Sequence, residues 1–109
     1  SYKKKLICGY GAARSGALLA INYGFEKKIK YLFDDHKMKV NKFSQINSSQ
    51  VLSTKKIGIL KPNLCIILAY LHNKNIIRKN IRLISKGVDF MTLYPKPEIV
   101  NMKNYKKYL

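Results

Sequence analysis

The stretch Leu6-Ile7-Cys8-Gly9-Tyr10-Gly11-Ala12-Ala13-Arg14-Ser15-Gly16 decides the fold. Three apolar residues run into a glycine-punctuated turn, and an alanine- and leucine-rich segment follows. This is the layout of a strand, a tight loop and the start of a helix. A helix start leaves backbone N–H groups without intrahelical partners, and such groups can hold a phosphate. Gly9 and Gly11 fit the first two glycines of the dinucleotide-binding pattern, but the third position falls on Arg14 and the next glycine is Gly16. A side chain as large as Arg14 is expected to resist the close helix–strand packing that a third glycine permits. The stretch therefore points to a βαβ unit of Rossmann type rather than to NAD or FAD. The alternative is that the glycines only form a sharp turn.

Outward from this stretch, strand and helix patterns alternate. A first strand is expected at residues 5–8 and a first helix at 12–23, with Ala17, Leu18, Ala20 and Ile21 facing the sheet and Gly24 closing it. A second strand is expected at 29–33, ending at Asp34-Asp35. Residues 36–50 are polar and basic without periodicity and read as a long loop. A short strand at 50–52 follows, and Ser53 is a natural N-cap for a short helix reaching Leu60. Residues 64–70 form the clearest strand, apolar on both faces and so central. Asn73 is expected to cap a helix over 74–86, with Ile77, Ile81 and Ile84 as its core face and Gly87 at its end. A last strand at 88–93 runs into Tyr94-Pro95-Lys96-Pro97, where the regular pattern ends.

This order predicts a small Rossmann-like α/β domain of three layers. Its sheet is mainly parallel, with four or five strands in the order 3-2-1-4-5. Residues 1–96 form the domain, and 97–109 read as a basic, loosely ordered tail. In such a sheet ligands bind beyond the carboxyl ends of the strands at the switch point, here between strands one and four. Gly9 to Arg14, Asp34-Asp35 and Tyr70 to His72 are expected to converge there. Gly11 is expected to turn a backbone N–H toward an anion, with Arg14 at the rim as a bidentate contact. Asp34, about twenty residues beyond the glycines, is placed to accept ribose or sugar hydroxyls. Asp35 is placed there too, or else caps the loop. His36 and His72 follow strands and have the chemistry of an acid or base, but neither has a partner in sequence. No nucleophile, metal-ligand or Walker pattern is present, so the chain alone is not expected to catalyse a reaction.

Composition narrows the class. The 109 residues carry 22 Lys and Arg against 5 Asp and Glu, a net charge of +17. That charge invites a nucleic-acid reading. Arg, however, occurs only at 14, 78 and 82, and the abundance of Lys, Asn and Ile fits an AT-rich coding sequence. Nucleic-acid binding is therefore the least favoured reading. Cys8 and Cys65 lie in expected core strands without a CxxC pattern and are read as reduced core residues of a cytoplasmic protein. No apolar run approaches the roughly 18 residues of a membrane span. The chain begins at Ser1 and is read as a processed product or an excised piece of a longer protein.

A family resemblance covers residues 6–93. Gly9-Tyr10-Gly11-Ala12 with Gly16 and Leu18-Leu19, then Phe33-Asp34, Lys42-Phe43, Ser53 and the strand at 64–70 resemble the C-terminal domain of the sugar C-methyltransferases. The resemblance implies a larger enzyme, in which a zinc-binding module and an S-adenosylmethionine-binding catalytic module precede this domain. It implies that this domain binds no cofactor itself and helps hold a nucleotide-sugar against the catalytic module, through Gly9, Tyr10, Gly11, Gly16 and Asp34. Ala12, Arg14, Asp35, Tyr70 and His72 complete the expected substrate-binding set. The chain departs from the family where Arg14-Ser15 replace small and Lys residues, where Ser44-Gln45-Ile46-Asn47 replace a Pro-Gly turn, and where Ala69-Tyr70 replace Pro-Trp. A stand-alone module for a nucleotide or coenzyme A is the alternative, because the same strand, glycine loop and helix serve those ligands.

Overall fold

The computed structural model describes residues 5–11, 13–35 and 49–109. Six strands form one sheet in the order β3-β2-β1-β4-β5-β6. They are β1 (Ile7–Tyr10), β2 (Tyr31–Phe33), β3 (Gln50–Leu52), β4 (Leu64–Ile67), β5 (Asp89–Thr92) and β6 (Glu98–Val100). The first five run parallel, in the expected order 3-2-1-4-5. The switch point lies between β1 and β4, where Cys8 pairs with Cys65 and Tyr10 with Ile67.

Alternation along the strands sends side chains to two layers. On one face Ile7, Leu32, Val51, Ile66 and Leu68 meet Ala17 and Ala20 of α1 (Arg14–Asn22). On the other, Cys8, Tyr10, Phe33, Cys65, Ile67 and Phe90 meet Ile57 of α2 (Ile57–Leu60), Ile76 and Ile77 of α3 (Asn73–Lys79) and Ile84 of α4 (Ile81–Ser85). Cys8 and Cys65 are free thiols within this layer. Burial pushes the Cys8 thiol up to about 11 and raises that of Cys65 as well, which leaves both unreactive. Among the described residues no helix is long and apolar enough to cross a membrane.

Several elements differ from expectation for physical reasons. β1 lies two residues later than expected, because Gly9 and Tyr10 pair with neighbours on both sides. In α1 the buried residues are Gly16, Ala17 and Ala20, while Leu18 is 57% and Ile21 37% exposed. The helix approaches the sheet too closely for any but small side chains on that side. The helix expected over 74–86 is two helices, broken at Asn80, whose Nδ2 donates to the Ile76 carbonyl. Asn73 does not cap α3; its amide donates to the carbonyl of Tyr94. Ser53 does cap the turn that leads into α2, accepting from the N–H of Lys55.

Beyond Pro97, where the pattern was expected to end in a loose tail, β6 pairs antiparallel with β5. A 3-10 turn at Tyr105–Tyr108 then packs Tyr105 and Tyr108 on the core. The alternation that makes this strand is only three residues long, too short to stand out beside two prolines and a lysine-rich run. The long loop expected over 36–50 falls almost wholly outside the described residues, with His36 in it.

Candidate functional site

The carboxyl ends of five parallel strands share one edge, and the expected site residues stand along it. At its centre the loop after β1 is locked against the chain that follows β4. Gly11 adopts φ +83, and its N–H donates to the carbonyl of Phe33 at 2.7 Å. A Cβ on Gly11 would lie 2.6 Å from the Cβ of Ala69. Gly11 thus spends its N–H on β2 and gives its side-chain space to the chain that follows β4, so the N–H expected to face an anion is already engaged. Gly9 is tight for a related reason, since a Cβ there would collide with the side chain of Leu32.

Gly16 makes the closest approach. A Cβ there would collide with the carbonyl oxygen of Leu68 and lie 2.7 Å from its Cα. The helix–strand contact expected at the third glycine position is made two residues later. Arg14 is therefore no obstacle to packing: it begins α1 and is exposed. Among the described residues no side chain caps this helix start, and its first turn carries no acidic residue. The first-turn N–H groups of Arg14, Ser15 and Gly16 have no carbonyls within the helix to bond. An uncapped amino end carries partial positive charge, and Arg14 adds a full one.

On the β2 side, the Asp34 N–H donates to the carbonyl of Leu52. Asp35 is tied to the β3 side. Its carboxylate accepts from the Thr54 hydroxyl at 2.6 Å, the Thr54 N–H at 3.0 Å and the Ser53 hydroxyl at 3.4 Å. These bonds, the Thr54 hydroxyl first, hold its carboxyl below the usual range. Asp35 thus joins the ends of β2 and β3. Tyr10 is 7% exposed and packs on Phe90. Burial raises its phenol, and its surroundings are those of a core residue.

On the β4 side, Tyr70–His72 form a 3-10 turn above the sheet. Tyr70 is half-buried and His72 exposed. With Leu71, Lys74 and Arg78 they line an open depression of about 420 Å³. The structure thus packs Gly11 on Ala69 and Gly16 on Leu68, the two residues that lead into the Tyr70–His72 turn, with Arg14 at the start of the same helix as Gly16. Asp34 and Asp35 stand at the neighbouring β2 end. Ala12 lies outside the described residues. Sequence reasoning missed Tyr94, whose ring packs 5.1 Å from that of Tyr70. The one signal for it was an aromatic residue directly after the last parallel strand, followed by proline.

Comparison with known proteins gives two findings. The profile of one family, described as C-methyltransferase C-terminal domain, matches residues 1–95. Among solved structures, the UDP-D-quinovosamine 4-dehydrogenase from Vibrio fischeri is similar, with a TM-score of 0.62 at 18% identity over 94% of this chain and 98% of that one. At that identity the likeness is one of fold. No curated protein matches the chain.

Proposed function

The chain belongs to the family of C-methyltransferase C-terminal domains, and from that premise we propose that it is the accessory, substrate-holding domain of a sugar C-methyltransferase. A family of C-terminal domains implies a catalytic module ahead of it in the same polypeptide. In this reading that module binds S-adenosylmethionine and supplies the methyl transfer, and the domain here holds the nucleotide-sugar beside it. The two free, unreactive thiols suit a cytoplasmic setting for such an enzyme.

One observation carries the reading: the uncapped amino end of α1 sits at the switch point of the sheet with Arg14 exposed in its first turn. A diphosphate there meets helix N–H groups, the positive end of the helix and a guanidinium whose planar fork matches two phosphate oxygens. Gly11 and Gly16 contribute by keeping the loop low on the sheet rather than by donating through Gly11. Asp34, one strand away, is positioned for the ribose hydroxyls.

The test is calorimetric titration of the full-length enzyme with a nucleoside diphosphate sugar. Arg14→Ala removes a charge-assisted contact worth about 1.5–3 kcal/mol, so binding is expected to weaken roughly tenfold to a hundredfold. Arg14 is exposed, so the variant keeps its fold, which circular dichroism verifies. Unchanged affinity in a folded variant would overturn the reading.

A further inference from the structure

Tyr94 follows β5 at its carboxyl end, and its ring meets that of Tyr70 at 5.1 Å and 41°. Tyr70 stands at the carboxyl end of the neighbouring strand β4. The ring pair therefore occupies the same edge as the glycine loop. Tyr94 is 55% exposed, so core packing does not account for it. Its backbone is nonetheless held firmly. Asn73 Nδ2 donates to the Tyr94 carbonyl at 3.0 Å, and Thr92 Oγ1 donates to the Lys96 carbonyl across the same turn at 3.0 Å. An aromatic surface fixed in solvent loses little conformational freedom when a ligand lies on it.

Position along the edge decides what the rings face. β4 adjoins β1 and β5 lies beyond it, so Tyr70 stands one strand spacing and Tyr94 two, roughly 5 and 10 Å, from the loop after β1. Asp34 stands on the other side of β1, at the end of β2. A substrate with its nucleoside toward Asp34 and its diphosphate at Arg14 extends its sugar over β4 and β5. Lys74 and Arg78 beside Tyr70 keep that region positive, which suits an anionic substrate. A pyranose presents an apolar C–H face, and the negative π face of a tyrosine ring attracts it.

We infer that the Tyr70–Tyr94 pair is the stacking surface for the hexose ring of the nucleotide-sugar, with Tyr94 the exposed ring that the sugar covers. This rests on the substrate-holding reading above and adds the direction in which the substrate lies across the sheet.

Calorimetry on the full-length enzyme with two probes, UDP-glucose and UDP, tests it. Tyr94→Ala is expected to weaken UDP-glucose about five- to tenfold and to leave UDP within about twofold. Tyr94→Phe, which keeps the ring, is expected to bind both like the parent. Thermal melting confirms that each variant is folded. If Tyr94→Ala binds both probes like the parent, the platform is refuted while Arg14→Ala still tests the diphosphate site. Equal losses for UDP and UDP-glucose place the base on the rings and overturn the inferred direction. A parent that binds neither probe defeats the substrate-holding reading and this inference with it.

Discussion

Two glycines show how a missing side chain works in opposite senses. Gly16 lets α1 rest on the backbone of Leu68. Gly58 lies within α2 and faces open space, with nothing within 4 Å of an added Cβ. Gly16→Ala must push the helix off the sheet, because carbonyl and Cα atoms cannot step aside as a side-chain tip can. It is expected to cost about 1–3 kcal/mol, the usual range for overpacking a core. Gly58→Ala meets no obstacle and restrains the unfolded chain, so it is expected to stabilise by about 0.5–1 kcal/mol. Urea unfolding of the two variants beside the parent measures both. Equal effects of the same sign would show that α1 does not rest on Leu68 as described.

At the scale of elements, the segment after β6 is packed on the core through Tyr105 and Tyr108, held by Asn104, and fastened at its end through one carboxylate. Lys107 Nζ lies 2.7 Å from the Glu98 carboxylate, and the Tyr108 hydroxyl donates to it. These two bonds hold the Glu98 carboxyl below its ordinary value. Burial first, and Glu98 next, push the Tyr108 phenol up to about 12. A lowered Glu98 value gives support that is full above the ordinary carboxylate range of about 4 and is lost as the pH falls through the folded value. A raised Tyr108 value gives support that is full below about 10 and is lost as the pH rises toward 12. The 3-10 turn is therefore expected to stay docked between about pH 5 and pH 10 and to loosen on either side. The amide shifts of residues 105–109 in NMR spectra follow this directly. Glu98→Gln should abolish the acid limb, and an acid limb that persists in that variant would assign the effect to another group.

For the whole molecule, charge dominates. A net charge of +17 on a body of 33 × 28 × 28 Å makes the folded chain repel itself, since compaction brings like charges together. The repulsion reaches across the molecule at about 0.01 M salt, where the Debye length is about 30 Å, and shrinks to near neighbours at about 0.15 M, where it is about 8 Å. The thermal midpoint is thus expected to rise by several degrees between those sodium chloride concentrations. A midpoint that falls with salt would mean that ion pairs outweigh the repulsion. The same charge attracts polyanions without selecting among them, so selectivity for a substrate must come from placed groups such as Arg14 at the strand edge rather than from the lysines.

What the sequence determined by itself was the frame. Apolar runs at Ile7, Leu32 and Leu64 through Leu68, separated by a glycine loop and helix-forming stretches, admit few parallel arrangements. Right-handed crossovers then leave the order 3-2-1-4-5, with its ligand edge at the switch point. Asp34, Arg14 and Tyr70 were placed on that edge because each follows or bounds a strand. Only the tertiary structure decided what each group does there. Whether Gly11 offers its N–H outward depends on where the Phe33 carbonyl lies, and Phe33 belongs to another strand. The face that α1 buries was decided by the distance to Leu68, which no periodicity encodes. Tyr94 became part of the edge because β5 lies beside β4 and Asn73 reaches across to hold its carbonyl. Periodic patterns come from neighbours along the chain and can be read there, whereas close contacts and shared hydrogen bonds join residues far apart in sequence and exist only once the chain has folded.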